Sequence, residues 1–144
     1  MFKFKLESVL KLRKIREKEI IKEFQIKKGE VLAAEKELER FKENLNKAKI
    51  EKSLKLTIND LKLLDNYIFK LKESIKYQAI KINNLNMELK QIELRLFQAQ
   101  KERKVLENLK EKKYQEYLKE ENLKEQKFLD EIASISFNKK KNST

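Results

Sequence analysis

Apolar residues recur along the first third of the chain at alternating steps of three and four. From Leu6 the series runs Leu6, Leu10, Arg13, Glu17, Ile20, Phe24, Lys27, Val31, Ala34, Leu38, Phe41, Leu45, Ala48, Lys52, and ten of these fourteen positions are apolar. A 3.5-residue repeat held this long is the pattern that lets one helix bury a seam against another. It predicts a first helix over about residues 2–52. Off the seam the residues are mostly charged. Glu23–Lys27, Glu43–Lys47 and Glu51–Lys55 stand four apart in the favourable order, each worth ~0.2–0.5 kcal/mol. Gly29 lies off the seam and costs the helix about 1 kcal/mol.

The repeat stops near Lys52. Thr57 with Asp60 three residues later resembles a capping box, the side-chain arrangement that satisfies free amides at a helix start. A turn is therefore expected over about residues 53–59 and a second helix from about 60. The second series runs Leu61, Leu64, Ile68, Leu71, Ile75, Gln78, Ile82, Leu85, Leu89, Ile92, Leu96, Ala99, Arg103, Leu106, with twelve of fourteen positions apolar. Two equal seams joined by a short connection fold back antiparallel. Matching them about the break puts Leu6 opposite Leu106, Ile20 opposite Ile92, Phe24 opposite Leu89, Val31 opposite Ile82, Leu38 opposite Ile75, Phe41 opposite Leu71 and Leu45 opposite Ile68. It also brings Glu17 beside Arg95 and Leu96.

Past Leu106 the apolar positions become Tyr114, Leu118, Phe128, Ile132 and Ile135. That shift of phase is a stutter, which locally unwinds a coiled coil. The opposing helix has no residues left to cover this stretch. The expected fold is all-α: two long helices in an antiparallel coiled-coil hairpin, the second overhanging the first over about residues 107–137. The overhang would span ~45 Å at 1.5 Å per residue. Residues 1–137 form a single coiled-coil domain on this reading, and 138–144 a disordered basic tail.

Composition narrows the function classes. The chain has 144 residues, one Gly, no Pro, no Cys and no His. Without His the commonest general base is missing. Without Cys there is no thiol nucleophile, and zinc sites of the usual kinds are not expected. Neither a metal nor a cofactor is expected, and a thin coiled coil offers no pocket for substrate. An enzyme is not expected. The opening Met1-Phe2-Lys3-Phe4-Lys5-Leu6-Glu7 lacks the unbroken apolar core of a signal peptide. No apolar run approaches the ~20 residues that span a bilayer.

The formal net charge is +12, and the excess is concentrated in the first helix. Its densest cluster is Lys11, Arg13, Lys14, Arg16 and Lys18, and Lys139, Lys140 and Lys141 follow the last helix. Such a balance favours phosphate contact in general. Acids are intermixed and aromatics are few, so specific nucleic-acid recognition is not expected and a solvated helix face is the plainer reading. Arg13, Glu17 and Lys27 interrupt the first seam and Gln78 the second; such residues snorkel, pair across the seam or fix register. Phe69, Ile80, Met87 and Leu94 follow one another at steps of 11, 7 and 7, so they align on the side away from the seam. Aligned apolar residues on a thin helical pair make a candidate docking stripe.

The two ends resemble the flagellar export protein FliJ family. At the start the resemblance lies in Phe4, Leu6, Glu7, Val9, Leu10, Leu12, Arg13 and Glu17. At the end it lies in Glu125-Gln126-Lys127-Phe128-Leu129-Asp130-Glu131-Ile132-Ala133, close to the family's Lys-x-x-Asp-Glu-apolar-Ala ending. The resemblance implies an antiparallel two-helix coiled coil similar to the gamma subunit of the rotary ATP synthase. It implies association with the hexameric export ATPase, the membrane export gate FlhA and export chaperones, with no ATP hydrolysis by the chain itself. The place it implies is cytoplasmic, at the inner-membrane face of the flagellar base, and the free protein is expected to be monomeric. On this reading Lys11, Arg13, Lys14 and Arg16, with Phe128, Leu129, Ile132 and Ile135 of the overhang, are candidates for docking to the ATPase ring. For the export gate, the resemblance implies a contact near the start of helix 2, matched here by Tyr67, Leu71, Ser74 and Gln78, of which Leu71 and Gln78 fall on the seam. The gate candidates are Tyr67, Phe69, Leu71, Ser74, Ile80, Met87 and Leu94. Two other classes compete, a prefoldin-like chaperone hairpin or scaffold and a basic coiled coil on nucleic acid. Oligomer size would separate the first, and a salt titration on DNA the second.

Overall fold

The computed structural model describes residues 1–54 and 56–142. It contains two helices, α1 (Glu7–Lys52) and α2 (Ile58–Asn142), packed as an antiparallel coiled-coil hairpin. By compactness the chain divides into Met1–Arg16 with Ala99–Thr144, and Glu17–Gln98. The two units are described in turn.

In the 17–98 unit the seams read from the sequence are the inner faces. Every seam position from Glu17 to Ala48 on α1, and from Leu61 to Leu96 on α2, is buried or half-buried. Ile20, Val31, Ala34, Ala48, Ile68, Leu71, Leu89 and Ile92 form the core. Ala48, Ile68 and Leu71 make one cluster, with Phe41, Leu45 and Leu64 packed against it. Both expected pairs there, Leu45 with Ile68 and Phe41 with Leu71, lie within that cluster.

The ion pairs beside the seam place the register differently from equal-seam matching. Lys27 Nζ donates to Glu88 Oε2 at 2.8 Å, Arg95 Nη1 to Glu23 Oε2 at 2.9 Å, and Lys52 bridges Asp65 at 2.7 Å. Each α2 partner lies farther along than equal matching puts opposite, by roughly one helical turn of ~3.6 residues. Arg95, expected beside Glu17, is bound to Glu23. Matching equal seams end to end pairs like heptad positions, whereas antiparallel helices interleave knobs from the two kinds of seam position. Gln78, read as a register device, donates from Nε2 to the Ala34 carbonyl at 3.0 Å.

The ends of this unit's helices are closed locally. At the end of α1, the Ser53 and Leu54 amides donate to the Ile50 and Glu51 carbonyls, and Ser53 Oγ also donates to the Ile50 carbonyl. Thr57 Oγ1 accepts from the Asp60 amide at 3.2 Å, the N-cap bond that the Thr57–Asp60 spacing implies. The Glu51–Lys55 pairing lies outside the described residues, because Lys55 does.

In the other unit, α1 begins at Glu7, not near residue 2. Residues 1–4 have no regular secondary structure and Lys5–Leu6 form a turn. Leu10 is 1% exposed and Ala99 4%. Arg13 Nη1 donates to Glu102 Oε2 at 2.8 Å, and Lys110 Nζ bridges Glu7 Oε2 at 2.8 Å. Phe2 packs edge-on to Tyr114 at 5.3 Å between centroids and tilted to Tyr117 at 5.6 Å.

This non-helical start corrects the expected overhang. Its six residues lie against α2 between Leu109 and Tyr117. Tyr117 and Leu118 are half-buried, and every described residue from Lys119 to Asn142 is exposed. Uncovered α2 thus starts at 119 and not at 107. The stretch from 138, expected as a disordered tail, is helical through Asn142; residues 143 and 144 lie outside those described. No Gly or Pro interrupts the helix there, and Lys139, Lys140 and Lys141 occupy its last turn, where cations complement the helix dipole.

Candidate interaction surfaces

The α1 head carries the first set of candidate residues. Lys11, Lys14 and Arg16 are exposed. Arg13 is half-buried and tied to Glu102, because it occupies a seam position. The four do not share a face. Lys11 and Lys14 stand three apart on one side of α1, as Arg13 and Arg16 do on another, since residues three apart are helix neighbours. Leu12, named in the sequence only as part of the family-like start, and Ile15, not named at all, are exposed between these cations. The signal was present as apolar residues off the heptad seam.

The α2 end carries the second set. Phe128, Leu129, Ile132 and Ile135 are all exposed. At 100° per residue Phe128, Ile132 and Ile135 fall within about 60° of one another, with Leu129 to one side. Leu123 and Phe137, also exposed, project elsewhere around the helix and were not singled out.

The third set lies on α2 in the 17–98 unit. Tyr67, Phe69, Ile80, Met87 and Leu94 are exposed. Ile80, Met87 and Leu94 occupy the outermost heptad position in three successive heptads, with exposed Tyr77 beside them. Leu71 is 6% exposed and belongs to the Ala48–Ile68 cluster, and Ser74 is half-buried. Leu71 is thus a core residue: its side chain is spent within the seam. Gln78, bound to the Ala34 carbonyl, is likewise engaged.

The electrostatics of these surfaces are those of ion pairs in water. The Lys110 ammonium, donating a hydrogen bond, holds the Glu7 carboxyl below its ordinary value. Hydrogen bonds to Glu88 and then Glu30 push Lys27 up, and Glu37 does the same for Arg40. No described helix is long and apolar enough to cross a membrane.

A family model described as flagellar FliJ protein matches residues 2–142. The chain belongs to the FliJ family. That match runs through both seams, the segment before α1 and the uncovered end of α2. Membership makes the chain a component associated with flagellar protein export, of a structural or adaptor class and not a known enzyme family. No curated protein and no solved structure matches the chain significantly.

Proposed function

We propose that the chain is a non-enzymatic, stalk-like adaptor that binds the flagellar export ATPase ring, the export gate FlhA and export chaperones. It acts in the cytoplasm, peripherally at the inner-membrane face of the flagellar base, and is monomeric when free. The observation that carries this reading is the uncovered end of α2. Residues 119–142 are helical yet exposed at every position. A lone helix of this length is marginal in water, and its aligned Phe128, Ile132 and Ile135 suit a helix-in-groove contact with a partner. The exposed cations Lys11, Lys14 and Arg16 supply a second contact with the ring. Phe69, Ile80, Met87 and Leu94 are the gate-facing stripe, and exposed Tyr67 lies on another side of α2.

The test is deletion of residues 119–144. The remaining hairpin should keep its melting midpoint, while binding to the export ATPase and stimulation of its ATP hydrolysis are lost. Full stimulation by the truncated chain would place the ring contact elsewhere. Binding of the intact chain to DNA that survives 200 mM salt would favour the nucleic-acid reading.

A further inference from the structure

The segment Met1–Leu6, which precedes α1, is held differently from everything that follows it. Phe2 and Phe4 are half-buried on α2, while Lys3 and Lys5 point to solvent, the two-residue alternation of an extended strip. The strip is loosely seated. A cavity of about 500 Å³ remains between it and α2, lined by Phe2, Phe4 and Leu6 on one side and Leu109, Lys113 and Tyr117 on the other. Leu6 is 38% exposed and Met1 wholly so. Immediately behind the Lys5–Leu6 turn the chain is fixed: Glu7 is bridged to Lys110, and Leu10 is 1% exposed. A loosely packed strip therefore meets a firm anchor at a turn.

We propose that Met1–Leu6 is a releasable latch that closes over its own site on α2, the Leu109–Tyr117 face, through the Phe2 ring. Closed, it shortens the uncovered part of α2. Lifted about Lys5–Leu6, it bares Leu109 and Tyr117, frees Tyr114, already 39% exposed, of the Phe2 ring, and extends the uncovered face back toward Leu109. The anchor at Glu7–Lys110 and the seam from Leu10 onward are unaffected by the motion. A partner helix that packs along the uncovered end of α2 and continues back from Lys119 over Tyr117 and Leu109 must displace the latch, so the latch competes with it for this face. The inference stands on the geometry of this end alone and holds whatever the partner is.

The chain contains four tyrosines and no tryptophan, which makes the latch directly observable. With 3-fluorotyrosine in the full chain, Tyr114 and Tyr117 should give fluorine resonances displaced by the Phe2 ring current, and exposed Tyr67 and Tyr77 serve as internal references. Phe2→Ala should return the Tyr114 and Tyr117 resonances toward the references without change in helicity. The two ring contacts correspond to roughly a 2- to 10-fold shift in the opening equilibrium each. Amide exchange over residues 109–118 should rise by about that factor per contact, with residues 123–137 and α1 beyond Leu10 unaltered. Phe2→Leu, which keeps apolar area but removes the ring, should lose the ring-current displacement and exchange at an intermediate rate. Unmoved tyrosine resonances in Phe2→Ala, or unchanged exchange over 109–118, would overturn the latch. So would faster exchange spread across both helices, because the segment would then be integral to the fold.

Discussion

Gly29→Ala gives a clean measure of how far α1 is stabilised by its own backbone. Gly29 lies inside α1, is exposed, and has no left-handed φ. A methyl group built there meets nothing within 4 Å. The substitution therefore removes unfolded-chain freedom without adding a clash or losing a contact. The full propensity difference of ~0.8–1.0 kcal/mol should appear as added stability. For 144 residues, an unfolding entropy of ~2.1 cal/mol/K per residue converts this to a rise of about 3 °C in melting midpoint. Thermal melts followed by circular dichroism at 222 nm resolve such a shift. Ala33→Gly, at another exposed α1 position, is the mirror experiment and should lower the midpoint by a similar amount. An unchanged or lowered midpoint for Gly29→Ala, with Ala33→Gly behaving as stated, would refute the reasoning. It would mean that residue 29 needs glycine for a contact or a bend that the free chain does not reveal.

Two further outcomes follow from the register and the ion pairs. Cysteines at positions 24 and 92 should close a disulfide more efficiently than cysteines at 24 and 89, since the ion pairs move the register along α2 by roughly one turn; preferential closure of the 24–89 pair would restore equal-seam matching. Glu7 has a folded pKa lowered below its ordinary 4.5 by Lys110, so its contribution to stability is present above pH 4.5 and lost as pH falls through the lowered value. The stability gap between wild type and Glu7→Gln should accordingly close below that value, and a gap constant from pH 6 to pH 3 would show that the Glu7–Lys110 bridge does not stabilise the fold.

The seams were legible because a 3.5-residue repeat is a local property of sequence: the positions picked out between Glu17 and Ala48, and between Leu61 and Leu96, are the inner faces. The N-cap at Thr57 was legible for the same reason. Register was not, because successive heptads look alike and the seam alone cannot say which heptad faces which. The non-helical start was hidden as well. Phe2, Phe4 and Leu6 satisfy a two-residue alternation, but they precede a strong helix whose pattern can be read back through Leu6. Only the Tyr114 and Tyr117 rings, more than a hundred residues away, decide between the readings. Of the candidate surfaces, the exposed stripe at Ile80, Met87 and Leu94 was legible as apolar residues off the seam. Leu71, carried in by family likeness, sits where the seam pattern already put it.

The charged residues flanking the seam have a consequence for how the chain finds its fold. A slip of one heptad along α2 would leave the apolar layers nearly as well matched as before. The same slip would set Lys27, now bound to Glu88, against Arg95 in one direction and Lys81 in the other. Glu23, now bound to Arg95, would meet Glu88 in the first slipped register toward the turn. Like charges at these distances oppose every near alternative, while the native register turns each into an attraction. The ion pairs, half-exposed and individually weak, thus act less as fasteners than as an address: they tell an otherwise repetitive helix which heptad is its own.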